Sequence, residues 1–353
     1  MKILHTSDLH LKQYGDERWD ALLNLLEIGK QEAIDLLIIS GDLFDKNYNA
    51  EQLRSELRAP FSNNSFKIVI IPGNHDVDSY TDGYVFGNDV EIIRNLEKPL
   101  IYNNVAIWGL PFEFIDSQQV FSRLFSIKEE LKEYDTNILL FHGDLIDAMF
   151  LGNETGEEGD RQYMPVKLSF FKDLGIDYIL AGHIHSNFGV WQPDEGKYFV
   201  YPGSPISITK KETGPRKVNL FECGEPPQEY LLRTPYYENV PIDFDPLNDL
   251  NPILKIQETV KDIPSHAKIC LNLDGFVNSE EIGLSEKGLK EKIEEIFESE
   301  CFDVSIKFQD VNVILQDDLF IKFSKKLEER GLDEEEAKQI KEIVINSLLR
   351  LNR

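Results

Sequence analysis

The chain has 353 residues, is 41% hydrophobic and carries a net charge of −26. That length and apolar share support a sizeable core in one large domain plus a smaller one, and exclude wholesale disorder. The charge repels nucleic acid at long range and so argues against a simple electrostatic DNA binder, although divalent cations can offset carboxylates gathered around them.

The first strand, Lys2–Thr6, runs into Ser7-Asp8-Leu9-His10, and a helix follows with Trp19, Leu22, Leu23 and Leu26 at helical spacing. Leu36–Ser40 is a continuous apolar strand ending in Gly41-Asp42; Phe66–Ile71 is another, ending in Pro72-Gly73-Asn74-His75-Asp76. Strands that are apolar throughout and alternate with helices indicate a sheet covered on both faces. Leu100–Tyr102 and Val105–Leu110, joined at Asn103-Asn104, predict a hairpin, and Ser117–Tyr134 an amphipathic helix. Asn137–Phe141 and Tyr178–Ala181 are buried strands that each run straight into histidine, and Tyr198–Tyr201 and Lys217–Phe221 are further strands.

The segment Gly224-Glu225-Pro226-Pro227 marks an expected domain boundary. Beyond it, Ile269–Leu273 and Val304–Phe308 flank a charged helix near Ser285–Ser299, a small β-α-β module. Two helices follow, about Asp318–Arg330 and Asp333–Leu351, the second with Asp333 as its N-cap. Ala337, Ile340, Val344 and Leu348, with Ile343 alongside, form an apolar stripe that either meets a partner or packs on the module before it. Cys223, Cys270 and Cys301 are widely spaced, which favours a reducing compartment and gives no disulfide framework. The apolar start is broken at His5, and no apolar run approaches the roughly 18 residues that span a bilayer, so the expected location is cytoplasmic, with no membrane contact.

Five segments end a buried strand with metal-ligand residue types: Asp8-x-His10, Gly41-Asp42, Gly73-Asn74-His75-Asp76, His142-Gly143-Asp144 and Gly182-His183-x-His185. Strand ends on one edge of a sheet converge, so donors distant in sequence can share a pocket. Imidazoles with carboxylates and an amide, without thiolates, suit manganese, iron or zinc rather than a structural zinc site. Asp8, His10, Asp42, Asn74, His142, His183 and His185 are too many donors for one tetrahedral ion; they suit two ions about 3.5–4 Å apart that share a carboxylate. His5, on an apolar strand, is expected to be a core histidine or to stand behind the ligands, and His266 to lie at the surface.

These motifs resemble the signature of the calcineurin-like metallophosphoesterase superfamily over roughly residues 1–221. The resemblance implies an α/β, four-layer α-β-β-α sandwich. It implies one metal held by Asp8, His10, Asp42 and His185 and a second by Asp42, Asn74, His142 and His183. His75 is then the catalytic histidine, with Asp76 expected to orient it. The cofactor is two divalent ions, manganese first, with iron, zinc or magnesium as alternatives.

His5-Thr6-Ser7-Asp8-Leu9-His10-Leu11, Gly41-Asp42-Leu43-Phe44-Asp45 and Tyr201-Pro202-Gly203-Ser204-Pro205 are similar to the SbcD-type nucleases of double-strand-break repair. That resemblance implies a metallophosphoesterase domain over 1–223, a capping domain over 224–316, and a helical segment over 317–353 that binds an SMC-like ATPase of the SbcC type. It also implies DNA as a partner and a homodimer within a heterotetramer. Lys210, Lys211, Arg216 and Lys217, the densest basic cluster, are the expected contacts to the phosphate backbone, with a solvated loop as the alternative. Two other functions stay open: a phosphodiesterase or phosphatase acting on nucleotides or other small phosphoesters, and a scaffold with a vestigial site.

Overall fold

The computed structural model describes residues 1–46, 50–80, 85–151, 162–186, 188–246, 248–297, 302–316 and 318–351. It divides into two compact units, Met1–Tyr237 and Glu238–Arg353.

In the first unit, β1 (Lys2–Thr6), β2 (Leu36–Ser40), β3 (Lys67–Ile71) and β4 (Val90–Ile92) run parallel in chain order. Helices α1 (Glu17–Gln31) and α2 (Ala50–Leu57) link them. A second sheet follows from β5 (Leu100–Tyr102), β6 (Val105–Leu110), β7 (Thr136–His142), β8 (Tyr178–Gly182), β9 (Gly189–Trp191) and β10 (Tyr198–Tyr201), in the order β5-β6-β7-β8-β10-β9. The chain then returns to the first sheet as β11 (Lys217–Glu222), antiparallel to β1, with β12 (Glu229–Leu231) at its edge. The Gly224-to-Pro227 turn therefore lies within this unit, which continues to Tyr237.

The apolar strands serve two cores at once, because successive side chains point to opposite faces. Ile3, Leu36, Ile38 and Val69 of the first sheet meet Ile107, Ile138, Leu140, Leu180 and Val200 of the second in one cluster between the sheets. The alternate residues Leu4, Leu37, Ile39, Ile68 and Ile70 face outward onto Trp19, Leu22, Leu25 and Leu26 of α1 and Leu53 and Leu57 of α2. On the far side Trp108, Leu139, Phe141 and Phe199 are covered by Val120, Leu124 and Leu131. The result is the α-β-β-α sandwich that the resemblance implies, with Leu23 of α1 left facing solvent.

Local chemistry explains the connections. Asp16 caps α1 by accepting from the Arg18 and Trp19 amides. Asn103 and Asn104 both take positive φ, 48° and 68°, and form the two-residue turn that pairs Tyr102 with Val105. The helix expected over Ser117–Tyr134 is broken at Ile127 into α3 (Ser117–Ser126) and α4 (Lys128–Leu131). Ile127 leaves helical geometry (φ −95°, ψ 5°) and is buried in the same core as Leu124 and Leu131.

The second unit begins within β13 (Tyr236–Phe244), which forms a sheet with β14 (Ala267–Val277) and β15 (Phe302–Ile306), with β16 (Gln309–Asp310) also paired to β14. β14 and β15 are parallel and joined through α5 (Glu286–Phe297), whose Leu289, Ile293 and Phe297 pack on Leu271, Leu273 and Phe244. Two later helices, α6 (Asp318–Glu328) and α7 (Glu334–Leu351), follow; Asp333 accepts from the Glu336 amide as its N-cap. Val344, Ile345 and Leu348 pack with Phe320, Phe276 and Val311, while Ile343 is 64% exposed. His266 is half-buried, and Cys301 lies outside the described residues.

Candidate metal centre

The C-terminal ends of β1, β2 and β3 in one sheet and of β7 and β8 in the other each deliver their residues to one place. Asp8, His10 and Asp42 take left-handed backbone conformations (φ 56°, 48° and 52°), and His183 has φ 101°. Such angles are uncommon for residues with a Cβ and are held here by the surrounding structure. Asp8 N donates to Gly41 O at 3.1 Å and His10 N to Asp42 O at 2.9 Å, which ties the first two turns together. Gly41 has φ 95°, and a Cβ there would lie 2.1 Å from His142 Nδ1; at Gly73 it would lie 2.1 Å from Asp42 Oδ1. Both glycines are needed because backbone approaches ligand side chain directly.

All seven expected donors come together. His10 Nε2 and His185 Nε2 face each other at 3.1 Å, with Asp8 Oδ1 3.6 Å from His185 Nε2. Around Asn74 Oδ1 stand His142 Nε2 at 2.8 Å and His183 Nδ1 at 3.1 Å. Asp42 lies between the groups: its Oδ1 accepts from the His75 amide at 2.9 Å. Its Oδ2 is buried and, among the described residues, accepts no hydrogen bond, 3.4 Å from His142 Nε2 and 3.7 Å from His10 Nε2. A buried carboxylate oxygen without a donor is costly unless a cation answers it, whereas the facing His10 and His185 nitrogens satisfy each other when one of them carries the proton. The donor set fits two divalent ions. Asp8, His10 and His185 form one group of converging donor atoms, and Asp8, Asp42 and His142 another.

The electrostatics point the same way. Burial works against a charge on His142, yet the Asp42 and Asp8 carboxylates outweigh it and push its pKa up to about 9. Burial likewise opposes ionisation of Asp42, but His142, His10 and His75 hold it well below the usual carboxylate range. His10 is lowered to about 4, by burial first and by His185 next, against the pull of Asp42. The pocket therefore demands positive charge, which either a proton or a metal ion can meet.

The residues behind the donors differ in part from expectation. Asp76 does not orient His75. Its Oδ1 accepts from Gly73 N at 2.7 Å and its Oδ2 from Phe44 N and Tyr80 Oη at 3.1 and 2.8 Å, so it braces the turn that carries Asn74. Burial and the nearby Asp42 raise its pKa to about 7. Asp45 is the carboxylate that faces His75: its Oδ1 lies 3.7 Å from His75 Nδ1, while its Oδ2 takes Lys12 at 2.9 Å and Arg18 at 2.7 Å. His10, Asp45 and His75 also converge, but Asp45 already holds two cations. His5 is fully buried, bonded through Nε2 to Ser40 Oγ at 3.1 Å, and Ser40 O receives His142 Nδ1 at 2.8 Å. His5 thus stands behind a donor. Asp144 Oδ1 lies 3.3 Å from His183 Nε2, and Glu212 Oε1 3.2 Å from His185 Nδ1.

The basic cluster is not the surface patch that its spacing suggests. Arg216 is buried, and its guanidinium donates to Ser204 O at 3.0 Å, Ser204 Oγ at 3.1 Å and His185 O. Its guanidinium is held inside the fold by these acceptors, so Arg216 is an internal brace and not the substrate contact that the sequence suggests. Lys217 pairs with Glu229 at 2.6 Å. Lys210 and Lys211 remain exposed.

Among the described residues no helix is long and apolar enough to cross a membrane. The chain is similar to the DNA double-strand break repair protein Mre11 of Saccharolobus solfataricus, 26% identical over 60% of this chain and 56% of that protein. It is also similar to the D subunit of the nuclease SbcCD of Staphylococcus saprophyticus, 25% identical over 60% of this chain and 63% of that protein. The chain therefore matches less than two thirds of the length of either relative. The crystal structure of TT1561 of Thermus thermophilus overlaps 62% of this chain and 92% of its own, with 15% identity and a TM-score of 0.43. Residues 1–187, which hold every one of these candidate donors, match the family model of the calcineurin-like phosphoesterases. The chain belongs to that family of phosphoester hydrolases.

Proposed function

We propose that this chain is a two-metal DNA nuclease of double-strand-break repair and recombination, working with an SMC-like ATPase of the SbcC type. The observation that carries the two-metal part is the Asp42 carboxylate, whose free oxygen lies between histidines of two separate groups. Asp8, His10, Asp42 and His185 would hold one ion, and Asp42, Asn74, His142 and His183 the other. Two divalent ions, manganese first, would supply Lewis acidity toward water and toward the phosphoryl oxygens. The chain's own part is to fix these donors on strand ends before substrate arrives, so that little reorganises during reaction. His75 stands at the rim of the pocket with 18% of its side chain exposed. Its Nδ1 faces Asp45, so Nε2 faces away from that carboxylate; we assign it delivery of a proton to the leaving oxygen.

DNA as substrate is supported by the two relatives whose names carry nuclease and break-repair roles. In the same proposal the second unit up to residue 316 acts as a cap, residues 317–353 meet the ATPase, and the nuclease chains pair within a heterotetramer. The charge of −26, with Arg216 buried and Lys217 paired with Glu229 at the surface, favours a second reading: a phosphodiesterase or phosphatase for nucleotides or other small phosphoesters. Incubation of the purified chain with manganese and labelled duplex DNA, single-stranded DNA or bis-p-nitrophenyl phosphate separates the two. Cleavage of DNA supports the nuclease. Turnover of the small ester without DNA cleavage, even with the ATPase added, supports the phosphodiesterase.

A further inference from the structure

His185 presents its two ring nitrogens to different surroundings. Nε2 faces His10 Nε2 at 3.1 Å and Asp8 Oδ1 at 3.6 Å, whereas Nδ1 faces Glu212 Oε1 at 3.2 Å. Glu212 is fully buried and lies in a turn 27 residues further along the chain. The rest of its carboxylate is committed: Oε2 accepts from Ile208 N at 2.7 Å and Oε1 from Thr209 Oγ1 at 3.2 Å. Beyond it, Arg216 grips the carbonyl of His185 and both Ser204 O and Ser204 Oγ.

A neutral imidazole carries one proton, and the nitrogen that lacks it is the one that can bind a metal. A carboxylate offers only acceptors. It therefore keeps the proton of His185 on Nδ1 and leaves the lone pair on Nε2, the nitrogen turned toward Asp8 and His10.

We propose that Glu212 is a positioning residue: it fixes the His185 tautomer that directs Nε2 at a metal ion, while Arg216 fixes the peptide that carries the ring. Glu212 and Arg216, within a segment that reads in sequence as basic and substrate-facing, thus brace one metal donor. The proposal rests on the two-metal reading of the site.

Glu212→Gln tests it without a change of shape. The amide can accept at one end only. The short bond from Ile208 N holds its oxygen, so its NH2 faces His185 Nδ1 and the ring proton must move to Nε2. Calorimetric titration with manganese should show one of the two sites weakened about 10- to 100-fold, a typical effect of losing such a partner. The metal-free thermal midpoint should stay near wild type. Glu212→Gln combined with His185→Ala should bind no more weakly than His185→Ala alone. Wild-type affinity at both sites in Glu212→Gln, or losses that add in the double variant, would overturn the proposal. Should the variant not fold, imidazole 15N shifts of the zinc-loaded wild type decide: a proton on His185 Nδ1 supports the assignment and one on Nε2 overturns it. A wild-type chain that binds no manganese removes the two-metal reading, and this proposal with it.

Discussion

At the scale of single residues, the division of labour around His75 is testable. The ring hangs beside the donors without belonging to either group, so His75→Ala is expected to retain its metals while turnover falls by about 100- to 10,000-fold. Asp45→Asn should lower turnover less, since it removes the carboxylate facing Nδ1 but keeps the ring. Metal analysis beside steady-state kinetics checks both, and a His75→Ala variant with normal turnover would remove that residue from the chemistry. His142 gives the pH dependence. With its pKa raised to about 9, the metal-free chain carries a proton there at pH 7.5. Metal uptake must displace that proton, so affinity weakens as pH falls below about 9. Calorimetry in buffers of different ionisation enthalpy should give heats that vary with the buffer; identical heats would contradict the assignment. The seven candidate donors could be picked out in sequence because they lie within a few residues of the end of an apolar strand, four of them beside a glycine. Asp45, Asp144, Glu212 and Arg216 were not legible in these roles. Their partners lie far along the chain, and only the folded geometry shows that Arg216 points inward and Asp76 toward Gly73.

At the scale of elements, the site is a property of where strands end. His142 pairs in register with Gly182, and Ser40 with Ile71, so adjacent parallel strands release their turns at the same level. The turns then depend on glycine where backbone meets ligand. Gly41→Ala combines a positive φ, which costs about 1–2 kcal/mol for a residue with a Cβ, with contact on His142 Nδ1. It should lower the unfolding midpoint and abolish metal binding at the Asn74–His142 group, which denaturation and metal analysis would reveal. Unchanged metal content would show that the turn can move aside. Apolar strands and the Asn103-Asn104 turn are strong local signals, which explains why the strands were legible, whereas their division into two sheets came from the family resemblance. The break at Ile127 was not, because helical spacing continues across it and only core packing sets it off. Strand β13 was also missed: a nine-residue alternating stretch interrupted by Pro241 carries little of the β-branched run that marks the other strands. The stripe on the last helix divides, with Val344 and Leu348 packed inside the second unit and Ile343 outside.

At the scale of the whole molecule, the charge of −26 and a pocket that demands positive charge belong together, because the cations that suit the pocket also reduce local repulsion. DNA would have to be held by local potential against that field, and Lys210 and Lys211 are the exposed members of the basic cluster. Neutralising both should weaken duplex binding and flatten the plot of log affinity against log salt by about 2 units, with small-ester turnover unchanged. An unchanged slope would leave that loop without a role in DNA binding.

The central claim is that two metal ions share Asp42. The direct measurement is calorimetric titration of the metal-free chain with manganese, combined with metal analysis, for the wild type, Asp42→Ala and Asn74→Ala. The wild type should take up two ions per chain, Asp42→Ala should lose both together, and Asn74→Ala should keep one near its original affinity. Two ions retained by Asp42→Ala, or a single ion in the wild type, would contradict the shared carboxylate.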